Sequence, residues 1–458
     1  MTQLDLHDIV PEPPEELLAW STLDRRIRRH SVARQALAVG SAAVIVAGVV
    51  SVGVSVGGSK PTQPPLGPIS RADGRIVFAQ PTSVLNKYWK VESLYTLDPQ
   101  TGDTTRIMEL PDEVDQLVAS PDGRRIAYSE DTYGYGPAGH PTHVNSEQVH
   151  VANADGSNDH KIFSCPNSWC GDLDWSPDGE RLLIRGTWVL QPDGQVERVC
   201  VGECTVRNYT SDASWSPDGT KLAFQYWKDI PLDNGGSDTA GMSTVQAIGV
   251  MNADGTNPRL VTDQHCTAKS VEGNCFTDTN PSWSPTGNAI AFTRTPLSAL
   301  PQNGSLGGPA LFGPSAINMV RSDGSDLHRV LSCARYCSIR TVTWSPTGEQ
   351  LAFVTQDTRG LRGKPPWSLH IVNPHSGAEE TTPLTFMTDA ETPTFVWAPS
   401  GSHIAIGSVA GDGTQVPGIY LVAVTDGRRG SPQPAATNGI APITWLPRTG
   451  ASSGRFLR

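Results

Sequence analysis

Three short segments of the sequence contain residue types that could take part in chemistry. The first, GVSVG at Gly53–Gly57, matches the G-x-S-x-G turn that exposes a nucleophilic serine in α/β-hydrolases. That turn needs a strand before it and a hydrolase domain after it. Here the motif lies inside a long apolar run. We therefore predict that Ser55 is not a nucleophile.

The other two segments are candidates for metal ligands. GHPTH supplies His140 and His143, but two histidines without an evident carboxylate or third ligand are typical of a solvated loop. NADGSND, from Asn153, resembles a calcium loop but lacks the glutamate at its twelfth position, and NADG-like segments recur along the chain as turns. The sequence thus predicts no metal, no cofactor and no catalytic residue.

The eight cysteines fall into four close pairs, each shortly before a W-S-P motif. Local pairs in equivalent places indicate disulfides formed in an oxidising compartment. Zinc sites favour C-x2-C spacings, which these pairs do not have. Other connectivities remain open. The predicted disulfides join Cys165 with Cys170, Cys200 with Cys204, Cys266 with Cys275, and Cys333 with Cys337.

The W-S-P motifs belong to a repeat that must position any functional residue. Five copies are clear and two are weaker. They are DLDWSPDGERLLI from Asp172, DASWSPDGTKLAF from Asp212, PSWSPTGNAIAF from Pro281, VTWSPTGEQLAF from Val342, FVWAPSGSHIAI from Phe395, LVASPDGRRIAY from Leu117 and ITWLPRTG from Ile443.

Each repeat is typical of a four-stranded antiparallel unit, whose strands we call A, B, C and D. The SPDG segment suits a type I turn between a short strand A, which ends in Trp, and an alternating strand B. In most units a third apolar strand follows and ends in an NADG-like turn, as in AIGVMNADGTN from Ala247, before a fourth strand. Radial repetition of such units predicts an all-β protein, a β-propeller.

The pattern W-S-P-D-G-x-x-I/L-A-F, followed by N-A-D-G-S/T-N, resembles the TolB-type propeller repeat, a relative of the WD-type blade. The resemblance covers roughly residues 71–447 and implies the fold more specifically than the function. TolB has a separate α/β domain before a six-bladed propeller. This chain has no room for that domain, so a role in the Tol system is not implied.

The two ends of the repeat region set the number of blades. Asp73–Leu110 supplies strands B, C and D without a preceding strand A, whereas Ile443–Pro447 supplies a strand A alone. If the last strand completes the first blade, no sheet edge stays open and the ring has seven blades. The terminal RFLR could add another strand, so six or eight blades remain alternatives.

Strand order sorts the connections by face. The A–B and C–D turns are short and share one face, the tight-turn face. The B–C and D–A connections share the other, the insertion face, which receives all four cysteine pairs and the long insertions. Because variable loops on a rigid scaffold carry binding functions, we predict that ligands bind the insertion face. The insertions are Asp131–Glu147, Trp227–Thr244, Thr295–Ser315 and Gln356–Pro366.

Four aromatic residues lie in or beside these insertions, where no repeat pattern requires them. Aromatic side chains on a binding surface contribute much of its affinity. The predicted contact residues are Tyr133, Tyr135, Trp227 and Trp367. The W-S-P tryptophans, one per blade, are better explained by packing between blades.

An uncharged run of 21 residues, Ala36–Val56, is long enough to cross a membrane as a helix. Five arginines lie in the ten-residue segment Arg25–Arg34 just before it and one lysine follows, so the N-terminus is predicted to be cytoplasmic and the repeats extracytoplasmic. The alternative is a cleaved signal peptide. The predicted organisation is a cytoplasmic tail (1–35), a transmembrane helix (36–57), a Pro/Gly-rich linker (58–70), a propeller (71–450) and a C-terminal tail (451–458).

Charge and composition limit the function. A formal net charge of −11 excludes a nucleic-acid partner, which needs a basic surface. We therefore expect a non-enzymatic module of the bacterial cell envelope that binds a protein, peptide or glycan. Two alternatives stay open: a sensor that signals through the cytoplasmic tail, and a hydrolase or lyase with a site at the mouth of the central channel.

Overall fold

The computed structural model describes residues 73–86, 89–110, 114–135, 141–165, 170, 172–199, 213–231, 242–262, 276–296, 315–333, 337–357, 367–378, 384–386, 394–408, 418–424 and 443–448. These residues form 27 β-strands in seven antiparallel sheets, which are the seven blades. The predicted transmembrane helix and both predicted tails lie outside the described residues. No described segment forms a helix long and apolar enough to cross a membrane.

The first four blades follow one another in chain order. Blade 1 contains β1 (Arg75–Asn86), β2 (Trp89–Leu97) and β3 (Thr104–Leu110); blade 2 contains β4 (Val114–Ala119), β5 (Arg125–Tyr135), β6 (Pro141–Asn153) and β7 (His160–Ser164); blade 3 contains β8 (Leu173–Trp175), β9 (Leu182–Ile184), β10 (Trp188–Leu190) and β11 (Val196–Arg198); blade 4 contains β12 (Ala213–Trp215), β13 (Lys221–Pro231), β14 (Met242–Asn252) and β15 (Arg259–Leu260).

The last three blades follow the same plan. Blade 5 contains β16 (Phe276–Trp283), β17 (Ala289–Pro296), β18 (Ala316–Arg321) and β19 (His328–Ser332); blade 6 contains β20 (Cys337–Trp344), β21 (Leu351–Asp357), β22 (Trp367–Val372) and β23 (Leu384–Phe386); blade 7 contains β24 (Phe395–Trp397), β25 (His403–Ser408) and β26 (Gly418–Ala423); and β27 is Ile443–Leu446.

The last strand closes the ring by completing blade 1, as predicted. β27 pairs antiparallel with the first four residues of β1, from Arg75 opposite Leu446 to Phe78 opposite Ile443. A second contact joins blades 1 and 7, because the buried Asp73 carboxylate accepts hydrogen bonds from the Ser400 N–H at 2.8 Å and the Ser400 hydroxyl at 3.0 Å. These contacts confirm seven blades.

The hydrophobic core is divided among the interfaces between blades. The described residues form seven buried clusters, and each one combines side chains from two neighbouring blades. The cluster between blades 7 and 1, for example, joins Ile419 and Leu421 to Ile76 and Trp445. Each blade is therefore stabilised mainly by its two neighbours.

The SPDG segments form the predicted turns. In blade 2 the Gly123 N–H donates to the Ser120 carbonyl at 2.9 Å, and the same bond recurs in the turns of blades 3 to 6. The buried Ser120 hydroxyl donates to Asp122 at 2.6 Å and accepts the Arg125 N–H at 2.9 Å. The turn residues are thus satisfied locally, as a structural motif requires.

The W-S-P tryptophans join the A strands of neighbouring blades, as predicted. The Trp215 ring N–H donates to the Asp174 carbonyl at 3.1 Å, and Trp344 and Trp445 make the equivalent bond to Ser282 and Val396. Two arginines strengthen this contact: Arg125 stacks over Trp175 and Arg181 over Trp215, each from the preceding blade.

Glycines of the C–D turns allow neighbouring blades to approach closely. Gly255, in blade 4, has φ 81° and packs so tightly on blade 3 that a Cβ would overlap the Val199 carbonyl oxygen. Gly377 is placed in the same way against the Val330 carbonyl. By contrast, Gly194 has φ 85°, but nothing lies within 4 Å of its Cβ position.

Removal of residues 443–458 should destabilise the protein much more than removal of residues 449–458. The longer truncation takes away β27, with the buried Ile443 and Trp445, and leaves the β1 edge unpaired. We expect a loss of more than about 4 kcal/mol in unfolding free energy, or aggregation. Thermal melting of both truncated proteins measures this, and equal melting temperatures would contradict closure through β27.

Gly255→Ala and Gly194→Ala should separate backbone strain from close packing. Both residues have positive φ, so each substitution carries a strain of about 1 kcal/mol. Gly255→Ala also forces a Cβ into the Val199 carbonyl, and we expect roughly 2 kcal/mol of further destabilisation. Urea unfolding of the two variants tests this. Equal losses would mean that the blades do not need this close approach.

Candidate functional site

Three B–C hairpins extend well beyond the rest of the ring on the insertion face: β1–β2 of blade 1, β5–β6 of blade 2 and β13–β14 of blade 4. β13 continues seven residues past Phe224, which pairs with the A strand, and β5 continues seven residues past Tyr128. At about 3.3 Å per residue each of these two hairpins projects by roughly 23 Å. Blade 3, which lies between blades 2 and 4, instead connects β9 to β10 by a three-residue turn, Arg185–Thr187.

The short turn of blade 3 has a local cause. Arg185 and Gly186 adopt φ 52° and 59°, the left-handed pair typical of tight β-hairpins. The long hairpins of blades 2 and 4 therefore stand on either side of a low blade. The B–C hairpins therefore differ in length from blade to blade, in agreement with the prediction that the insertion face is elaborated.

The predicted contact residues have different environments. Tyr133 and Tyr135 lie in the projecting part of β5, and their side chains lie outside the described residues. Trp227 lies in β13 opposite Gln246 and is half-buried. Trp367, at the start of β22, is 2% exposed and packs in the core between blades 6 and 7. Trp367 is therefore a core residue rather than a surface contact, because its strand position turns the ring inwards.

Two of the four predicted disulfides are present on the insertion face. Cys165 pairs with Cys170 between blades 2 and 3, and Cys333 pairs with Cys337 between blades 5 and 6. Each one connects a D strand to the next A strand. The buried Glu147 carboxylate accepts the Cys170 N–H, which anchors the first disulfide to β6. Cys200, Cys204, Cys266 and Cys275 lie outside the described residues.

The residue before each W-S-P tryptophan faces the neighbouring A strand around the axis of the ring. Most of these residues are only partly exposed, and two accept a backbone N–H from the next blade: Thr444 from Ala119 and Asp174 from Trp215, both at 3.2 Å. One member of the set is ionisable. The set is Thr444, Val118, Asp174, Ser214, Ser282, Thr343 and Val396.

Asp174 is the titratable group of this ring. Burial raises the pKa of its carboxyl to about 7; the Trp215 N–H opposes this rise, and the Asp172 carboxylate adds to it. A carboxyl that is partly neutral near pH 7 can donate or accept a proton. Sequence analysis missed Asp174, although the signal was present: an acidic residue where the other repeats have hydroxyl or aliphatic residues.

Two further sets of charged residues are paired within single blades. Asp278, fully buried, forms a bidentate pair with Arg294 at 2.7 Å, and Arg294 also lies over Phe292. In blade 2, His150 lies 3.2 Å from Glu130 and 3.5 Å from Asp159. Burial lowers the pKa of His150, but the two carboxylates outweigh burial and raise it above its usual value.

Among the described residues, no group of three or more His, Cys, Asp or Glu side chains is placed to bind a metal ion. Asp155 accepts the N–H of Ser157 at 2.9 Å and its hydroxyl at 2.6 Å, so NADGSND forms an ordinary turn. His140 lies outside the described residues, as does the side chain of His143.

The tight-turn face is less plain than predicted. Two grooves of about 720 and 710 Å³ open on it, one between blades 1 and 2 and the other between blades 5 and 6. Sequence analysis missed them because it ranked the faces by loop length, whereas a groove between blades depends on which side chains fill the gap.

Comparison with known proteins yields likenesses of fold. No protein-family model and no curated protein matches the sequence. TolB from Acinetobacter baumannii is 15% identical over 83% of this chain and 68% of its own, with a TM-score of 0.44. An oligogalacturonate lyase in complex with manganese is 14% identical over 74% and 83% of the two chains, with a TM-score of 0.47.

A third likeness is the periplasmic gluconolactonase of Pseudomonas aeruginosa, which is 13% identical over 82% of this chain and 99% of its own, with a TM-score of 0.47. These likenesses assign no function. The strand pairing of the chain itself shows that it is a seven-bladed β-propeller of antiparallel blades, of which six have four strands and blade 7 has three within the described residues.

Asp174→Asn should change how stability depends on pH. Because the folded pKa lies above the usual value of about 3.9, ionising Asp174 costs folding free energy, and this cost grows as pH rises from about 4 to about 7 and is constant above that. Urea unfolding should show nearly equal stability near pH 3, below both pKa values. At pH 8 the variant should be more stable by roughly 1 to 3 kcal/mol.

Asp178→Asn is the control for this experiment. Burial raises the pKa of Asp178, but the Ser176 hydroxyl and the Glu180 N–H outweigh burial and lower it. Its contribution to stability is therefore present at neutral pH and lost in acid. Asp178→Asn should destabilise the protein more at pH 7 than at pH 3. A pH-independent difference for Asp174→Asn would refute the raised pKa.

Proposed function

We propose that the protein is a membrane-anchored extracytoplasmic β-propeller that binds a protein, peptide or glycan of the bacterial cell envelope through its insertion face. The observation that carries the proposal is the pair of projecting hairpins, β5–β6 and β13–β14, on either side of the low blade 3. A closed ring does not need these projections for its own stability, so they are available for recognition.

The compartment is proposed on two grounds. The disulfides Cys165–Cys170 and Cys333–Cys337 favour an oxidising environment. The sequence of residues 36–57, with the arginines before it, favours an uncleaved anchor with the propeller outside. A further possibility within this arrangement is that the tail 1–35 reports ligand binding to the cytoplasm.

The second candidate function is an enzyme with its site in the central channel. Asp174 is the observation that favours it, because its raised pKa lets it act as an acid or base, and Asp172 supplies a second carboxylate nearby. In that case Asp174→Asn would abolish turnover of a screened carbohydrate or lactone substrate and leave partner recovery unchanged.

Trimming a hairpin should abolish binding while leaving the fold intact. We would replace residues 229–244 with the Arg-Gly-Thr turn of blade 3, which keeps Lys228 paired with Val245 and keeps the Gln246 N–H bonded to Thr277. Crosslinking in intact cells, followed by mass spectrometry, should show at least about tenfold lower partner recovery. The melting temperature should change little, because the ring is untouched.

The matched control is Arg124→Gln, on the tight-turn face, which should bind as the unmodified protein does. Arg124 is exposed and makes one weak ion pair, with Asp122 at 3.7 Å. Full partner recovery after trimming of both β5–β6 and β13–β14 would refute the insertion face as the binding surface. A glycan array probed with the same variants separates a glycan ligand from a protein or peptide.

A further inference from the structure

The groove between blades 1 and 2 lies on the tight-turn face, where the two ends of the ring meet. It has a volume of about 720 Å³, in the range of small-molecule sites. One wall carries Arg75 and Thr96 of blade 1, and the chain after β27 contributes Pro447 and Arg448. Gly123 and Asp155 of blade 2 form the opposite wall. We call this the seam groove.

Two of the three arginines that line the seam groove have no acidic partner among the described residues. Within the described part of the chain Arg75 and Arg448 form no ion pair, and both are exposed. The third arginine of the groove, Arg106, pairs with Glu109 at 3.2 Å. Two carboxylates also line the groove, but neither pairs with Arg75 or Arg448: Asp98 accepts the Gln100 N–H in its own turn, and Asp155 accepts the N–H and the hydroxyl of Ser157.

Arg75 lacks the partners that the equivalent arginines have. Arg125 and Arg181 stand at the same repeat position, and each stacks on the tryptophan of the next blade. Each also donates to a turn carbonyl of that blade, that of Gly179 or Gly219. Blade 2 has Ala119 in place of the tryptophan, so no ring is available for Arg75.

The groove between blades 5 and 6 provides an internal comparison. It has nearly the same volume, about 710 Å³, and the equivalent position on the ring. Its one arginine, Arg321, lies 3.5 Å from Asp326, and Asp323 also lines it. Two carboxylates therefore accompany one arginine there. In the seam groove three arginines accompany two carboxylates, although the protein has a net charge of −11.

We propose that the seam groove binds a small organic anion through Arg75 and Arg448, which hold its carboxylate or phosphate group. Guanidinium groups bind both kinds of oxyanion in bidentate fashion. Thr96, Thr101 and Gln100 offer hydrogen bonds to the remainder of the ligand, and Ile107 and Leu446 offer apolar contact. The site lies on the face opposite the insertions and does not depend on the function proposed for them.

The test uses the full-length protein in detergent, titrated calorimetrically with citrate and with inorganic phosphate at constant ionic strength. Binding of citrate alone identifies a carboxylate ligand, whereas binding of both probes identifies a general oxyanion site. Arg75→Gln and Arg448→Gln, made separately, should each weaken binding about tenfold or more, because each removes a charge-assisted hydrogen bond. Arg124→Gln and Arg321→Gln should bind as the unmodified protein does.

Three results would overturn the proposal. One is no binding of either probe beyond that of sodium chloride at equal ionic strength. Another is unchanged affinity in both Arg75→Gln and Arg448→Gln. The third is an equal loss in the two control variants, which would indicate general charge attraction. Both substituted side chains are exposed, so each variant should melt at the unmodified temperature without ligand, which confirms folding.

Discussion

The backbone pairing of four residues, Ile443–Leu446, with the start of β1 is the contact on which the rest of the molecule depends. A blade buries its two faces only if it has a neighbour on each side, and every hydrophobic cluster among the described residues is shared between two blades. Without β27, blade 1 would lose its innermost strand and, with Ile443 and Trp445, part of the cluster that it shares with blade 7. Because β27 closes the ring, it also stabilises clusters that it does not contact.

Repeated positions hold this ring together, and departures from the repeat create its polar features. Where the repeat is kept, an arginine of one blade stacks on the tryptophan of the next blade and donates to its turn, as Arg181 does with Trp215 and Gly219. Where it is broken, a group remains without that partner. Ala119 leaves Arg75 unstacked, and Asp174 introduces a carboxyl among hydroxyl and aliphatic residues.

Much of the fold could be predicted from the sequence because its determinants are local and periodic. The SPDG turns, two local disulfides and the strand A at Ile443 are each specified by a few adjacent residues. Three features could not be predicted. The inward orientation of Trp367 depends on which side of its strand the ring lies, the pKa of Asp174 depends on burial by other blades, and the grooves depend on gaps between them. The membrane anchor stays a prediction.

Ligands on the two faces would affect the ring differently. A ligand on the hairpin β13–β14 contacts one blade and adds nothing to the pairing of β27 with β1. An anion held by Arg75 and Arg448 contacts a residue near each end of the ring, so its binding free energy also opposes the separation of those ends. Where β27 pairs with β1, non-covalent contacts alone hold the two ends of the propeller together. A small ligand bound there therefore stabilises the closed ring most directly.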